Sequence, residues 1–212
     1  MVTARGTSSV TLDSWSAQTA TGNSAGTDAL TARGYFLAFQ AVQESPREIS
    51  VGGNPGDVLE RDHQRWYRAL FDPAARAGLY EAHHLAGYRV IPIYITNARH
   101  VSPSVTALRD GMSALWDLLR QERHPAVRAV LGHVFFVYPH PYVDGTGRLG
   151  RIVMNTLLVS GGYPWTVIPL TRRAAYMQAL EQASSYSNIG PFTELLATCL
   201  AEDSGRQHQE DG

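Results

Sequence analysis

The stretch that decides the fold is HPYVDGTGRLGR, residues 140–151. Its three glycines have the spacing G-x-G-x-x-G, which is the fingerprint of dinucleotide-binding folds. Such a fold also needs strands that alternate with helices, and an acidic residue about 20 positions after the glycines. The apolar residues on both sides follow helical spacing, and no acidic residue occurs between Asp144 and Glu181. The glycines therefore indicate a different kind of site.

The chemistry of this stretch predicts an anion-binding loop. A glycine-rich loop that opens a helix presents converging backbone N–H groups at the positive end of the helix dipole. Arg148 and Arg151 lie three positions apart, so both project from the same side of the first helical turn. Asp144 is suited to hold Mg²⁺ by one carboxylate when phosphate oxygens and water supply the other ligands. His140, mostly neutral at physiological pH, is the obvious proton acceptor.

These residues resemble the signature of the Fic family, HxFx(D/E)GNGRxxR, with unchanged spacing. The matching positions are His140, Asp144, Gly145, Gly147, Arg148 and Arg151. The resemblance extends over residues 31–203 and includes AGYRVIPIYITNARHVSPS, which is similar to the family's flap and the turn after it. It implies a mainly α fold, a compact helical bundle with one short β-hairpin flap.

The resemblance also implies an activity, the transfer of AMP from ATP to a Ser, Thr or Tyr hydroxyl of a target protein. His140 would deprotonate the hydroxyl, and Asp144 would coordinate Mg²⁺ between the α- and β-phosphates. The loop amides of Gly145, Thr146 and Gly147 would hold phosphate oxygens. Arg148 would contact the diphosphate, and Arg151 would reach the γ-phosphate. Such transfer depends on positioning and charge neutralisation, which these residue types supply.

Three positions depart from the family pattern. Tyr142 replaces the usual Phe, and its ring still suits a core position if the hydroxyl finds a partner. Thr146 replaces an Asn, which alters either the loop geometry or one phosphate contact. Ser184 lies near the place where many members carry an Asn that helps to bind the nucleoside. These changes leave two alternatives open, a transferase that uses another nucleotide or phosphate-containing donor and an impaired Fic-fold binding module.

The flap, residues 88–97, departs from helical spacing. Ile91, Ile93 and Ile95 alternate with other residues, and Pro92 favours an edge position. An edge strand has unpaired N–H and C=O groups, so we expect the flap to dock the target segment as an added strand.

Composition narrows the class of protein. The formal net charge of −1 argues against a general nucleic-acid surface or a membrane-surface role. All 18 basic residues are arginine, which removes lysine-based mechanisms, and the single cysteine, Cys199, cannot form an internal disulfide. No apolar run approaches the roughly 20 residues of a membrane span. We expect a cytoplasmic protein, with delivery into another cell as the alternative.

Residues 1–30 are polar and predict a mobile N-terminal arm, residues 31–203 the Fic domain, and residues 204–212 a disordered tail. His124 and His133 suggest zinc, but no third ligand is evident, and a core or orienting role for His133 is favoured.

Many Fic proteins carry an inhibitory glutamate in (S/T)xxxE(G/N) that pairs with the second motif arginine. Ser24–Asp28 and Thr198–Glu202 match this pattern poorly, which predicts either an unrestrained enzyme or an antitoxin-like inhibitor in trans.

Overall fold

The structure, a computed structural model, describes residues 10–11, 24–95 and 98–210. The helices are α1 (Ser24–Val42), α2 (Glu44–Ser50), α3 (Pro55–Arg76), α4 (Val105–Gln121), α5 (Pro125–Val137), α6 (Thr146–Ser160), α7 (Arg173–Tyr186) and α8 (Gly190–Glu210). Short 3₁₀ helices span Ala82–Leu85 and Leu170–Arg172. The mainly α class predicted from the sequence is confirmed. None of the described helices combines the length and the apolar character that a membrane crossing requires.

Local sequence signals fix where two of the central helices begin. The Asn54 side chain accepts a hydrogen bond from the Gly56 N–H at 2.9 Å, and Pro55 occupies the first position of α3. Ser104 Oγ accepts from the Ala107 N–H at 3.3 Å at the start of α4. Each contact satisfies a backbone donor that has no partner inside the helix. The two helices then pack against each other in the centre of the protein.

Helices α5 and α6 approach each other closely because glycine occupies the contact points. A Cβ on Gly132 would lie 2.6 Å from Leu157 Cδ1, and a Cβ on Gly150 would lie 2.8 Å from Val137 Cγ2. The third glycine of the fingerprint therefore serves helix packing. The close approach fixes both ends of the site loop, which we define as residues 138–145 between α5 and α6.

Helix α1 begins at Ser24, inside the segment predicted as a mobile arm. It packs on α3, where a Cβ on Gly34 would lie 2.0 Å from the Leu70 carbonyl oxygen, and it buries Ala38 and Val42. Residues 1–9 and 12–23, which make up most of that segment, lie outside the described residues. At the other end, α8 is helical to Glu210, through most of the predicted tail. The polar composition of these two segments did not predict that α1 and α8 extend into them, because a helix can continue without an apolar face at every turn.

The short β structure is a parallel pair. Strand β1 (Val10–Thr11) pairs with β2 (Ile93–Tyr94) of the flap, with Val10 opposite Ile93. Ile93 is buried and Tyr94 is half exposed, as the alternating pattern predicts. The partner of β2 differs from the predicted hairpin because a parallel pair joins segments far apart in sequence, which local spacing cannot reveal. Residues 96 and 97 of the flap lie outside the described residues.

Candidate active site

The site loop and the start of α6 line a cavity of about 920 Å³. The cavity brings together the predicted catalytic, metal-binding and cofactor-binding residues, His140, Asp144, Gly145, Thr146, Gly147, Arg148, Arg151 and Ser184. Of the three flap isoleucines, Ile95 lines the same cavity. Ile93 is buried, and Ile91 lines a second, smaller cavity. Residues from the motif and from two distant segments thus face one space.

Gly145 turns the chain into α6. Its φ of 79° lies in the left-handed region, and a Cβ there would lie 2.5 Å from a ring carbon of Phe71. Any other residue would be strained by the backbone angle and by the close ring. A Cβ on Gly147 would instead find only Arg151 Nη1, at 3.8 Å, so the backbone of Gly147 is open to the cavity. The first glycine shapes the loop, and the second leaves room for a ligand.

The structure shows which contacts Thr146 makes at the position where the family pattern has Asn. It is buried at the first position of α6 and does not adopt a positive φ. Its hydroxyl donates to the Tyr142 carbonyl oxygen at 3.2 Å, and its Oγ1 lies 3.3 Å from the Tyr142 N–H. The side chain therefore holds the main chain of the site loop at Tyr142, and Thr146 also lines the cavity.

His140 occupies the mouth of the loop in an unusual backbone conformation. Its φ is 49°, and only 9% of the residue is exposed. Burial, with a smaller contribution from the Arg89 guanidinium, lowers the pKa of His140 to about 4. The imidazole is therefore neutral at physiological pH and has a free lone pair to accept a proton. Its Nδ1 is buried and has no hydrogen-bond partner among the described residues.

Asp144 is occupied by polar contacts from three directions. Arg148 Nη2 donates to its Oδ2 at 2.9 Å, the Tyr80 hydroxyl donates to the same oxygen at 2.8 Å, and the Gly145 N–H donates to Oδ1 at 2.5 Å. The Arg148 guanidinium also lies over the Phe71 ring, 4.7 Å from its centroid. The carboxylate and the guanidinium neutralise each other on the cavity wall.

Two carboxylates line the cavity, Asp144 of the site loop and Glu181 of α7, and Glu181 accepts hydrogen bonds from the Arg99 N–H and the Ser185 hydroxyl. Within the described ranges, no group of three or more His, Cys, Asp or Glu side chains is arranged to hold a metal ion. Magnesium often binds through one or two carboxylates and takes its remaining ligands from phosphate and water. Asp144, on the cavity wall and partly exposed, fits a magnesium ion that arrives with a phosphate ligand.

Arg151 is held by aromatic side chains. Its Nη2 donates to the Tyr35 hydroxyl of α1 at 3.2 Å, and its guanidinium lies 6.0 Å from the Tyr176 ring centroid. The Tyr176 hydroxyl lies 3.0 Å from Nε2 of His133, which is fully buried and stacked on Phe192. These contacts support the orienting role predicted for His133. They also fix the direction of Arg151 into the cavity.

Neither of the carboxylates weighed in the sequence as partners of Arg151 contacts it. Glu202 pairs with Arg172, and Asp28 is exposed. Across the part of the chain that the structure describes, no carboxylate lies within salt-bridge distance of Arg151. Its hydrogen-bond partner is the neutral hydroxyl of Tyr35, which sequence reasoning did not single out.

Apolar side chains of α1 and of the segment after α6 form another wall of the cavity. Phe39 of α1 meets Trp165 edge to face at 5.1 Å between ring centroids. Asn155 of α6 holds the adjoining segment, accepting from the Thr166 N–H at 2.7 Å and donating to its carbonyl at 3.0 Å. Ser184 of α7 also lines the cavity. The cavity thus has a charged end at the site loop and an apolar end suited to a planar ring.

Three site residues have no local sequence signal. Tyr35, Tyr80 and Arg89 contact the motif residues across separations of 116, 64 and 51 positions. Each lies in a segment whose pattern predicts only secondary structure, so spacing alone could not assign them to the site.

Comparison with known proteins agrees with this geometry. A model of the Fic/DOC family matches residues 57–158. The protein adenylyltransferase Fic of Drosophila virilis is 43% identical over 104 residues, which is 47% of this chain and 21% of that protein. The protein of the same name from Nematostella vectensis is 36% identical over 116 residues, 53% of this chain and 26% of that protein. The chain spans only about a fifth to a quarter of the length of these curated relatives.

Solved structures share the fold. Fic-1 (residues 134–508) of C. elegans superimposes with a TM-score of 0.69 at 19% identity, over 93% of this chain and 57% of that one. A Fic domain-containing signaling protein of Bacteroides thetaiotaomicron gives a TM-score of 0.58 at 19% identity, over 78% of this chain and 68% of that one. The matched residues 57–158 include the site loop, Asp144, Arg148 and Arg151, and this part of the chain is a Fic/DOC family domain.

Proposed function

We propose that the protein transfers AMP from ATP to a Ser, Thr or Tyr hydroxyl of a target protein. One observation carries this proposal: a buried neutral histidine, a carboxylate and two arginines face the charged end of one cavity. A proton acceptor next to a cluster that can neutralise phosphate is what nucleotidyl transfer needs. The names of the curated relatives, protein adenylyltransferase Fic, support the same assignment.

In this reaction the target hydroxyl gives its proton to His140 while its oxygen attacks the α-phosphorus. A new P–O bond forms, and the bond from the α-phosphorus to the bridging oxygen breaks, which releases pyrophosphate. The charge that builds up on the phosphate oxygens is met by Arg148, Arg151 and the backbone N–H groups from Gly145 to Gly147. The base of the nucleotide would bind against the apolar rings of the cavity, and Ser184, which lines the same cavity, would contact the nucleoside.

Magnesium bound at Asp144 would neutralise charge on the diphosphate. In the free protein, Arg148 occupies that carboxylate. We infer that a nucleotide separates this pair, because the diphosphate offers Arg148 stronger acceptors than one carboxylate does.

The decisive experiment identifies the donor and the group transferred. Purified protein is incubated with Mg²⁺, a cell lysate and one labelled donor from ATP, UTP, GTP, CTP and CDP-choline. Label from [α-³²P]ATP should enter protein, and label from [γ-³²P]ATP should not, because pyrophosphate leaves. Transfer from the γ-labelled nucleotide would indicate a phosphoryl transferase. Nucleotide binding without transfer of any label would indicate the impaired binding module.

We propose further that the target docks on the flap as an added strand. The support is that β2 carries a strand of its own chain, Val10–Thr11, so this segment has the geometry for β pairing. Tyr94→Pro removes a main-chain donor, whereas Tyr94→Ala keeps it and serves as the matched control. Target labelling should fall with the proline variant much more than with the alanine variant, and self-labelling should change little in either. Normal target labelling by Tyr94→Pro would contradict docking by strand addition.

We propose that the enzyme is either unrestrained or controlled by a separate antitoxin-like protein. This proposal rests on the absence of a carboxylate near Arg151 in the described residues and on the pairing of Glu202 with Arg172. An antitoxin-like protein would supply the missing carboxylate in trans. Asp28→Ala and Glu202→Ala should leave labelling within about twofold of the wild type, since exposed charges contribute little. A tenfold rise in either variant would reveal an inhibitor within the chain.

A further inference from the structure

Arg89 is a buried cation whose contacts are all with the main chain. Only 4% of the residue is exposed, and its guanidinium donates to four carbonyl oxygens. Nε donates to His140 at 2.8 Å, Nη1 to Ile91 at 3.0 Å, and Nη2 to Pro103 at 2.6 Å and to Pro139 at 3.2 Å. Its own backbone N–H donates to the Pro141 carbonyl at 2.8 Å.

A buried arginine is costly to maintain because it loses its hydration. Such groups are usually paired with a carboxylate, yet none lies within salt-bridge distance of Arg89 in the described residues. Burial lowers the pKa of its guanidinium for this reason. A buried guanidinium that binds only carbonyl oxygens indicates a functional role in addition to packing.

The carbonyls that Arg89 collects come from three segments. They belong to the site loop at Pro139 and His140, to the flap at Ile91, and to the turn before α4 at Pro103. Pro139 and Pro141 flank His140, and a proline disfavours the helical conformation in the residue before it, so the loop does not continue the helix that would satisfy these carbonyls. His140 itself has a φ of 49°, a conformation that side-chain-bearing residues rarely adopt without outside support.

We propose that Arg89 is a positioning residue for the transfer reaction: it holds His140 by the main chain in its left-handed conformation and joins the base to the flap. This inference rests on the proposed function, since it assigns the position of the base that the reaction uses. The planar fork of the guanidinium can reach several carbonyls at once, which a single ammonium group cannot. Arg89 thereby fixes the position of His140 relative to the flap, where the target would dock.

The charges around His140 are consistent with this role. Arg89 and His100 favour the neutral imidazole, and Asp144 favours the protonated one, while burial has the largest effect and also favours the neutral form. His100 binds the same loop from the other end of the flap, with Nε2 at 2.8 Å from the Tyr138 carbonyl oxygen. Both contacts from the flap region thus meet the loop next to His140.

The test compares Arg89→Lys, which keeps the charge and loses the fork, with Arg128→Lys, a partly buried arginine on α5. Self-labelling with [α-³²P]ATP gives kcat and KM, and a direct titration gives the Kd for Mg²⁺-ATP. We expect kcat to fall at least thirtyfold in Arg89→Lys, with Kd within threefold of the wild type, and no change in Arg128→Lys. A kcat within threefold of the wild type, or an equal loss of kcat and nucleotide affinity, would overturn the proposal.

Hydrogen exchange on the wild-type protein provides a readout that depends neither on activity nor on the folding of a variant. If the loop is clamped in advance, the Arg89 amide that donates to Pro141 exchanges as slowly as the core helices, both without and with Mg²⁺-ATP. Fast exchange that slows only when nucleotide binds would overturn the clamp. If the wild type transfers no label while this amide is protected, the proposed function fails and the clamp stands as a structural fact.

Discussion

Two parts of the charged end of the cavity, His140 and the Asp144–Arg148 pair, are held by different kinds of contact. At the first, Arg89 holds the main chain of His140 through buried hydrogen bonds to carbonyl oxygens. At the second, Asp144 and Arg148 hold each other, with side chains 38% and 22% exposed. Arg151 is held there by a neutral hydroxyl.

The difference concerns what can move when a ligand binds. Buried main-chain contacts are expensive to break because each leaves a polar group without a partner. A partly exposed ion pair contributes little to stability, so a polyphosphate can separate it at low cost. His140 is therefore held in place before binding, whereas Arg148 stays paired with Asp144 until an anion separates the pair.

The largest expected effect comes from removing the base. His140→Ala should reduce transfer by at least about 100-fold, because general base catalysis contributes this much or more. Nucleotide affinity should change little, since the imidazole acts on the proton of the hydroxyl. His124→Ala, an exposed histidine before α5, is the matched control. Transfer by His140→Ala within about threefold of the wild type would remove His140 from the mechanism.

The next effect tests the charged end. Asp144→Asn should weaken Mg²⁺-ATP binding about tenfold, which is about 1.4 kcal/mol. Without Mg²⁺, ATP should bind the variant at least as tightly as the wild type, because Arg148 no longer has an anionic partner. Asp72→Asn, which breaks the exposed pair with Arg76, is the control. Equal weakening with and without Mg²⁺ would contradict a role in metal binding. Calorimetric titration in both conditions measures the difference.

Acid stability should reveal how firmly the base is buried. The pKa values of His133 and His140 are about 4 in the folded protein, chiefly because of burial, against about 6.5 unfolded. The unfolded state therefore binds more protons between these values, and the stability present above pH 6.5 is lost as pH falls toward 4. Each histidine should cost about 2 kcal/mol between pH 7 and pH 5. Urea unfolding at both pH values measures this. His140→Ala should remove about half of the dependence, and an unchanged dependence would contradict the low pKa of His140.

The smallest effect concerns the loop anchor. Tyr142 stacks on Tyr67 with ring centroids 3.8 Å apart, and its buried hydroxyl has no partner among the described residues. Tyr142→Phe should therefore raise the free energy of unfolding by about 1 kcal/mol. Tyr88→Phe should lower it by about the same amount, because the Tyr88 hydroxyl lies 2.9 Å from His63 Nε2. A loss of stability in Tyr142→Phe would mean that the hydroxyl has a partner in the folded protein.

The sequence alone determined the helical class, the loop and the order of groups along it. Helical spacing repeats over short distances, so apolar positions predict helices, and the distance between His140, Asp144, Arg148 and Arg151 is set by the backbone. Ser184, predicted to bind the nucleotide, and Ile95, predicted to dock the target, both line the cavity, and their roles stay predictions. That part of the prediction came from the resemblance to the Fic family.

Only the tertiary structure decided how these groups are held. The start of α1 at Ser24, the parallel partner of β2 and the contacts of Tyr35, Tyr80 and Arg89 all join segments far apart in the chain. Spacing carries no information about such pairs, because they depend on how whole helices pack. The contact of the Thr146 hydroxyl with the Tyr142 main chain also depends on tertiary structure, because it forms only when the site loop is closed between α5 and α6.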